Sequence, residues 1–495
     1  MKLAASLAIV PLLSALTGSV QADGAVYVPA LRATNWAGLI GVDYSPNHYP
    51  AGSSFNNHDV FYVGNAPSGQ ALTNVQVELA QLKAAGFTAV RSYQTVEYAW
   101  IDLIQRARAL GLSVVYEAAI PINGGPSDIS NAKNVLTNVI NAVGTQTFQN
   151  TVILVLAGHE NYQTGKVAYL SNALRQLNTT LSNAGLSSIA VTTALVSGNL
   201  VTPSSPSDMQ TLIDAASPDA PLGFDPYPFQ WGTTPPAQAA NNAGLTNSIA
   251  WDYTQVEAQS FYPAGRPILM AESGWATAGS GQYANYFCYQ QNNCKPGVVP
   301  AATYLQALYR YVGQVRNNAG LLVFEAYDEP AKDAANPNDA ENYYGVFDTN
   351  CALKKNNTNL LPNTTYDPST PAACQGFVQG INVTVAGTQP GATTNQPPFT
   401  VAITQTNPAS GLDGSMNVKV PNRDRSNLNV TPWPYFLVYD GARIKISSVN
   451  TAGRSCTVRA TVSGQTVTWG NVNCTDPAYA VSCSGNACYL PWNDF

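Results

Sequence analysis

The stretch Pro267-Ile268-Leu269-Met270-Ala271-Glu272-Ser273-Gly274-Trp275-Ala276 decides the fold and the chemistry predicted for this chain. Four apolar residues after a proline predict a buried strand, and Glu272 lies where that strand ends, just before Trp275. A carboxylate at a strand end beside an aromatic ring is typical of sites that act on sugars. A solvated glutamate is the simpler interpretation unless a second carboxylate arrives at a matching position.

Seven other apolar runs alternate with amphipathic ones along the chain. They cover residues 39–42, 87–91, 112–117, 151–156, 189–193, 221–224 and 321–324. This alternation is typical of a parallel sheet with helical crossovers, and eight strands predict a closed (β/α)8 barrel. An open doubly wound sheet is the alternative. It fits less well, because polar and aromatic residues follow nearly every strand and no glycine-rich phosphate loop follows the first.

Composition divides the chain into four segments. Residues 1–22 resemble a signal peptide, with an apolar run and small residues before a cleavage point at Ala22. A membrane anchor is the alternative, but Pro11 and Gly18 interrupt the run. We expect the barrel domain over residues 23–385, a linker over 386–398 and a small Cys-rich β domain over 399–495. No other stretch is apolar enough to span a bilayer, so we expect a secreted protein.

Charge and cysteine content narrow the partners. Only 11% of the 495 residues are charged and the net charge is -6, so the chain has no basic surface for nucleic acid. Eight cysteines cluster as expected for disulfides in an oxidising compartment: Cys288 with Cys294, Cys351 with Cys374, and Cys456, Cys474, Cys483 and Cys488. Zinc fits poorly, since the chain has three histidines and no Cys-x-x-Cys pair. We expect no metal and no cofactor.

Six acceptor triplets for N-glycosylation are consistent with export. They begin at Asn178, Asn356, Asn363, Asn382, Asn429 and Asn473.

A second carboxylate, Glu160, closes the fourth predicted strand in Ala157-Gly158-His159-Glu160-Asn161-Tyr162. A closed sheet brings Glu160 and Glu272 to the same rim, where such barrels carry their active sites. Two carboxyl groups about 5–5.5 Å apart cleave an acetal with retention, and a separation of about 6.5–9.5 Å implies inversion. One of the two should keep its proton. We assign Glu160 as the acid and Glu272 as the nucleophile, an order that residue chemistry alone leaves open.

Several segments between residues 36 and 347 resemble glycoside hydrolase family 17, the β-1,3-glucanases and glucanosyltransferases of plant and fungal walls. Ala271-Glu272-Ser273-Gly274-Trp275 is similar to the nucleophile signature of that family. The other similar segments are Gly41-Val42-Asp43-Tyr44-Ser45-Pro46, Val90-Arg91-Ser92-Tyr93, residues 157–160, residues 324–332 and residues 341–347.

The resemblance implies a retaining (β/α)8 enzyme acting on β-1,3-linked glucan. Position by position it implies Glu272 as nucleophile, Glu160 as acid/base, Tyr44 near the nucleophile, and Glu329 with Lys332 as a charged pair that supports the site. This chain departs from the family at His159, where the family usually has an asparagine whose amide hydrogen-bonds the sugar 2-hydroxyl. An imidazole can donate a similar bond.

Aromatic residues supply candidate sugar platforms. Tyr227 and Trp275 follow predicted strands, and their ring faces could pack on a pyranose, although core packing is the alternative. Trp433, Trp469 and Trp492 could make the C-terminal domain a carbohydrate-binding module. We therefore expect a secreted or wall-associated, monomeric glycosidase whose partner is a β-glucan. Transglycosylation is the nearest alternative, and a non-catalytic wall glucan-binding protein is the alternative from another class.

Overall fold

The computed structural model describes residues 36–368, apart from residues 37, 47, 49–74, 96, 232–234, 281–294, 317 and 331, together with the backbone of strands between residues 379 and 489. Eight parallel strands close into a barrel in the order β1 to β8, with β8 pairing back onto β1. They are β1 Ile40–Asp43, β2 Ala89–Arg91, β3 Ser113–Glu117, β4 Val152–His159, β5 Ala190–Val196, β6 Leu222–Asp225, β7 Ile268–Ser273 and β8 Ala319–Val323. The predicted (β/α)8 barrel is confirmed.

Helices follow the strands, and their ends match signals in the sequence. They are α1 Val75–Ala84, α2 Glu97–Ala109, α3 Pro126–Val143, α4 Thr145–Thr151, α5 Val167–Asn183, α6 Ser197–Val201, α7 Pro206–Ala215, α8 Pro228–Trp231, α9 Pro236–Ala239, α10 Ile249–Glu257 and α11 Val298–Arg310. Ser205 and Ser248 cap α7 and α10 by accepting bonds from the backbone of the first turn. Gly86, Gly111 and Gly185 lie just beyond helix ends with positive φ, as C-terminal stops require.

Each strand buries both of its faces. One face packs on the helices, as Val42, Val90 and Met270 do, and the other fills the barrel interior, as Leu154 and Leu322 do. Because side chains alternate along a strand, neighbouring residues at a strand end point to opposite layers. This alternation decides which rim residues can reach a common site.

Nine further strands form two antiparallel sheets. They are β9 Gln379–Ala386, β10 Phe399–Thr406, β11 Gly414–Val420, β12 Phe436–Val438, β13 Arg443–Val449, β14 Ser455–Val462, β15 Gln465–Asn473, β16 Tyr479–Ser484 and β17 Ala487–Tyr489. Strand β9 pairs with β12 and β14, so the sheets begin before the linker predicted at 386–398.

Several predictions fall outside the described residues. They concern the signal peptide over residues 1–22, most of the linker, the Cys288–Cys294 pair, Cys374, and the side chains of Trp433, Trp469 and Trp492. They stay predictions. Among the helices that the structure describes, none has the length and apolar character needed to cross a bilayer.

Candidate active site

Glu272 lies at the end of β7, where three donors fix its carboxylate. Arg91 Nη1 is 3.1 Å from Oε1, the Tyr93 hydroxyl donates to Oε1 at 2.8 Å, and the Tyr227 hydroxyl donates to Oε2 at 2.8 Å. The pairing of β7 with β8 is irregular between Met270 and Ser273. Such irregularities re-aim side chains next to active sites. Glu272 is 6% exposed, so the rim holds an oriented and nearly desolvated carboxylate.

Glu160 follows β4 after a similar irregularity. The pairing of β4 with β5 shifts between Leu156 and His159, and Glu160 then adopts a positive φ of 45° while its amide bonds the Ala194 carbonyl. A non-glycine residue with positive φ is uncommon and marks a constrained backbone. The turn therefore holds Glu160 in one orientation at the rim.

Gly158 and Asn161 build this turn. Gly158 has a φ of +71°, and a Cβ there would lie 2.5 Å from Asn161 Nδ2 and 2.7 Å from the Ile120 carbonyl oxygen. Asn161 is buried and donates to the carbonyls of Ile120 and Ala157 at 2.9 and 2.6 Å. The close approach of the backbone explains why glycine precedes the two site residues.

The two rim carboxyl groups differ in their surroundings. No donor among the described residues hydrogen-bonds the Glu160 carboxyl, whereas Glu272 accepts from Tyr93 and Tyr227 and pairs with Arg91. Although Glu160 is exposed to the cleft, the protein around it removes part of its hydration and raises its pKa above the ordinary value, and the charge of Glu272 raises it further. An environment of this kind favours the protonated form of Glu160.

Arg91 is the central cation beneath the rim and is completely buried. Besides Glu272, it contacts Asp43 Oδ1 at 3.5 Å and Glu117 Oε2 at 2.6 Å, and it donates to the Ala271 carbonyl at 2.7 Å. Burial alone would lower the pKa of Arg91, but the charge of Glu117 and the other acidic groups outweighs burial and raises it. Arg91 both holds the Glu272 carboxylate and joins a buried network.

His159 is paired with Glu117, with Nδ1 2.6 Å from Oε1. Partial burial lowers the pKa of His159, but the charge of Glu117 and the hydrogen bond to it raise the pKa to about 9. The imidazole is 36% exposed and its ring centroid lies 5.1 Å from that of Tyr93 in an edge-to-face contact. The structure therefore places a cationic histidine beside Glu160, where it faces the cleft.

Two more acids lie at the carboxyl ends of barrel strands, Asp43 on β1 and Asp225 on β6. They are 1% and 2% exposed, and neither of their carboxyl groups has a hydrogen-bond partner among the residues that the structure describes. Burial raises the pKa of each well above its ordinary value, and the charge of Glu272 adds to the effect. Burial therefore disfavours the charged form of both acids, and Arg91 and His159 are the cations nearest to Glu117.

A cavity of about 510 Å³ opens beside Glu160. Its walls include Tyr93, Gln94, Ile120, Asn131, His159 and Glu160. This volume is in the range of small-ligand pockets, and the mixture of apolar wall and polar groups suits a sugar.

Another acid near the two rim carboxyl groups is Glu341, which accepts from Gln230 at 3.3 Å. Burial together with the charges of Glu272 and Glu160 raises the pKa of Glu341 to about 7.

The structure brings Glu160, Glu272, His159 and Tyr227 together at the rim. Tyr227 contacts Glu272 through its hydroxyl and is 8% exposed, so its role here is donation rather than stacking on a sugar. Lys332 forms ion pairs with both Glu329, at 3.7 Å, and Glu325, and its Nζ lies 4.1 Å from the Phe324 ring centroid. The sequence predicted Glu329 as the partner of Lys332, and the structure adds Glu325 as a second partner.

Two predicted site residues lie elsewhere. Tyr44 is completely buried and donates to Glu78, because Asp43 before it points into the barrel and alternation turns Tyr44 toward α1. Trp275 is 1% exposed, with its ring centroid 5.2 Å from that of Phe229 and 5.4 Å from that of Tyr304. Both side chains pack in the layer between strands and helices, so neither is a sugar contact.

Sequence reasoning missed Tyr93, Glu117 and Asp225 as site residues. All three lie at or just beyond the carboxyl end of a strand, on β2, β3 and β6. That position is the signal that could have identified them, since every barrel strand ends at the same rim.

The chain resembles known proteins mainly in its barrel. Residues 60–345 match the family model described as the BtgE/BtgC glycoside hydrolase domain. Among solved structures, an endo-laminarinase from Formosa Hel1_33_131 is similar, with a TM-score of 0.50, 16% identity, and coverage of 68% of this chain and 92% of that chain. CJP38, a β-1,3-glucanase from Cryptomeria japonica pollen, has a TM-score of 0.43, 17% identity, and coverage of 63% and 96%. No curated protein sequence matches significantly.

Proposed function

The chain belongs to the BtgE/BtgC glycoside hydrolase domain family, and we propose that it is a retaining glycosidase that cleaves β-1,3-linked glucan with Glu272 as nucleophile and Glu160 as acid/base. One observation carries the assignment of roles. Glu272 accepts hydrogen bonds from Tyr93 and Tyr227 and forms an ion pair with Arg91, whereas Glu160 faces the cleft with a raised pKa and no donor among the described residues.

The proposed reaction has two displacements. Glu160 gives its proton to the glycosidic oxygen while a Glu272 oxygen bonds the anomeric carbon, so the leaving sugar departs as an alcohol and an ester links the remaining glycosyl unit to Glu272. Glu160, now ionised, then removes a proton from water, whose oxygen attacks the same carbon and frees Glu272. The three donors on Glu272 stabilise it as a leaving carboxylate in this second step.

The choice of β-1,3-glucan rests on the resemblance of residues 271–275 and 324–332 to family 17 and on the laminarinase that shares the fold. The test is incubation with a laminari-oligosaccharide, with product lengths followed by mass spectrometry and the first-formed anomer by NMR. We expect shorter products released as the β-anomer. An α-anomer would contradict retention. Products longer than the starting sugar would show transfer to a sugar hydroxyl in place of water.

A matched pair of variants separates catalysis from binding. Glu272→Gln should abolish turnover and keep glucan binding, whereas Glu257→Gln, which removes a helix-surface partner of Arg316, should keep both. If the wild-type protein turns over no β-glucan but binds it, the non-catalytic wall-protein alternative replaces the enzyme.

We also propose that the chain is exported. Isolation of a secreted form whose N-terminus is residue 23 would support this, and retention of residues 1–22 would contradict it.

A further inference from the structure

Glu117 ends β3, between β2, which carries Arg91, and β4, which carries His159, and it contacts a cationic group on each side. Its Oε2 is 2.8 Å from Arg91 Nε and 2.6 Å from Arg91 Nη2, and its Oε1 is 2.6 Å from His159 Nδ1. Glu117 is 6% exposed, so solvent screens these contacts little. A single carboxylate thus joins β2 to the residue that precedes Glu160.

The Arg91 end of this bridge continues to the nucleophile. Arg91 Nη1 contacts Glu272 Oε1 at 3.1 Å and the Ala271 carbonyl oxygen at 2.7 Å, so it holds both the side chain and the adjacent backbone. At the other end, the backbone of His159 leads directly into Glu160. The contacts form a continuous path from Glu272 through Arg91, Glu117 and His159 to Glu160.

We propose that Glu117 is a positioning residue that fixes the separation of the nucleophile and the acid/base by holding Arg91 with one oxygen and His159 with the other. This inference rests on the proposed function, because the separation matters only if both glutamates react. Retaining chemistry depends on that spacing, and a misplacement of about 1 Å can cost roughly 100-fold in rate.

Glutamine at position 117 cannot accept from both cations. A carboxylate offers an acceptor oxygen to each cation, whereas an amide offers one oxygen and one NH₂ group, so its NH₂ can face His159 only when the imidazole is neutral and accepts at Nδ1. Glu117→Gln therefore breaks the charged link while keeping the shape of the side chain. His159→Ala breaks the bridge only at its partly exposed end, so it tests the same link if Glu117→Gln does not fold.

The first measurement compares kcat and KM for the wild type, Glu117→Gln, His159→Ala and the double variant. Each single variant should lose about 30- to 100-fold in kcat with KM little changed. The double variant should lose no more activity than the more impaired single variant, because both substitutions remove the same bridge. Glu257→Gln, which removes the Arg316 ion pair, should keep wild-type kcat. Independent, multiplying losses, or wild-type kcat in a folded Glu117→Gln or His159→Ala, would overturn the proposal.

The second measurement does not need turnover, so it separates failure of this inference from failure of the proposed function. Among the described residues, the charged and titratable groups near His159 are Glu117, Glu272, Arg91, Tyr93, Glu160 and Asp43. The chain has three histidines, so imidazole NMR can follow His159. In the wild type it should titrate near pH 9, and in Glu117→Gln well below that. An unchanged titration in folded Glu117→Gln would show that Glu117 does not hold His159.

Discussion

The Tyr227 hydroxyl donates to Oε2 of Glu272 at 2.8 Å, on the oxygen opposite the one that Arg91 and Tyr93 contact. Tyr227 follows β6, so strands on both sides of the cleft contribute to holding one carboxylate. The arrangement leaves Glu272 little freedom to rotate. A nucleophile held in this way can attack without first reorganising its own contacts.

Tyr227→Phe should lower kcat/KM by roughly 10- to 100-fold, since a hydrogen bond to a charged acceptor contributes about 1.5–3 kcal/mol. The ring remains, so the fold should persist. Tyr309→Phe is the matched control. It deletes a buried hydroxyl that donates to the Leu360 carbonyl, away from Glu272, and should leave the kinetics unchanged. Equal kinetic losses in both variants would mean that the effect comes from stability alone.

Glu160→Ala should remove the proton donor and leave space beside the anomeric carbon. On a substrate with an activated leaving group, the first step needs little acid assistance, so azide should restore turnover and yield a β-azide. An α-azide from Glu160→Ala, together with a β-azide from Glu272→Ala, would instead reverse the two roles.

The pH dependence should carry the signature of Glu160. Because the pKa of Glu160 is raised, its acid form persists to higher pH than that of an ordinary glutamic acid. The fall of kcat/KM on the alkaline side of the pH profile should therefore occur at a higher pH. The positive charge of His159 lowers the pKa of Glu160, so His159→Ala should move that limb upward again. A downward shift would contradict a cationic His159.

The barrel and its two catalytic candidates could be predicted because strand and helix periodicities are local properties. The eight apolar runs mark the strands, and Glu160 and Glu272 are identified as rim residues by where those runs stop. The irregular pairing of β4 and β7 was not predictable, because it depends on contacts such as Arg91 with the Ala271 carbonyl. The irregular pairing lies just before Glu160 on β4 and around Glu272 on β7.

Residue type alone misplaced Tyr44 and Trp275 and passed over Glu117. An aromatic side chain at a strand end can either contact a sugar or pack in the layer between strands and helices. Asp43 points into the barrel toward Arg91, so the alternation of side chains along β1 turns Tyr44 toward the helices and Glu78. Glu117 ends a strand without any motif, and its importance comes from two cations that lie 26 and 42 residues away in sequence. Such convergence is a property of the closed sheet.

Gly158→Ala should impair catalysis as well as folding. The residue has a positive φ, which costs an alanine about 1–2 kcal/mol, and its Cβ would also press on Asn161 and the Ile120 carbonyl. Gly165→Ala is the matched control, since Gly165 has a φ of +85° and nothing within 4 Å of the added carbon. Both variants should lower the melting temperature, but only Gly158→Ala should lower kcat, by displacing Glu160. A normal kcat in Gly158→Ala would show that the turn does not position Glu160.

Asp252 in α10 should make the fold less stable as pH rises. It is 4% exposed, forms no ion pair within the described residues, and burial raises its pKa to about 7. Between the ordinary pKa of an aspartate and about 7 the folded state binds more protons than the unfolded state, so the free energy of unfolding falls through that window. Asp252→Asn cannot ionise. Its stability relative to wild type should therefore increase from pH 5 to pH 8, by up to about 3 kcal/mol.

Thermal unfolding at the two pH values measures this difference in stability. The exposed Asp214→Asn is the control and should show no such increase. An equal increase in both variants would place the effect on general surface charge and not on the buried carboxyl.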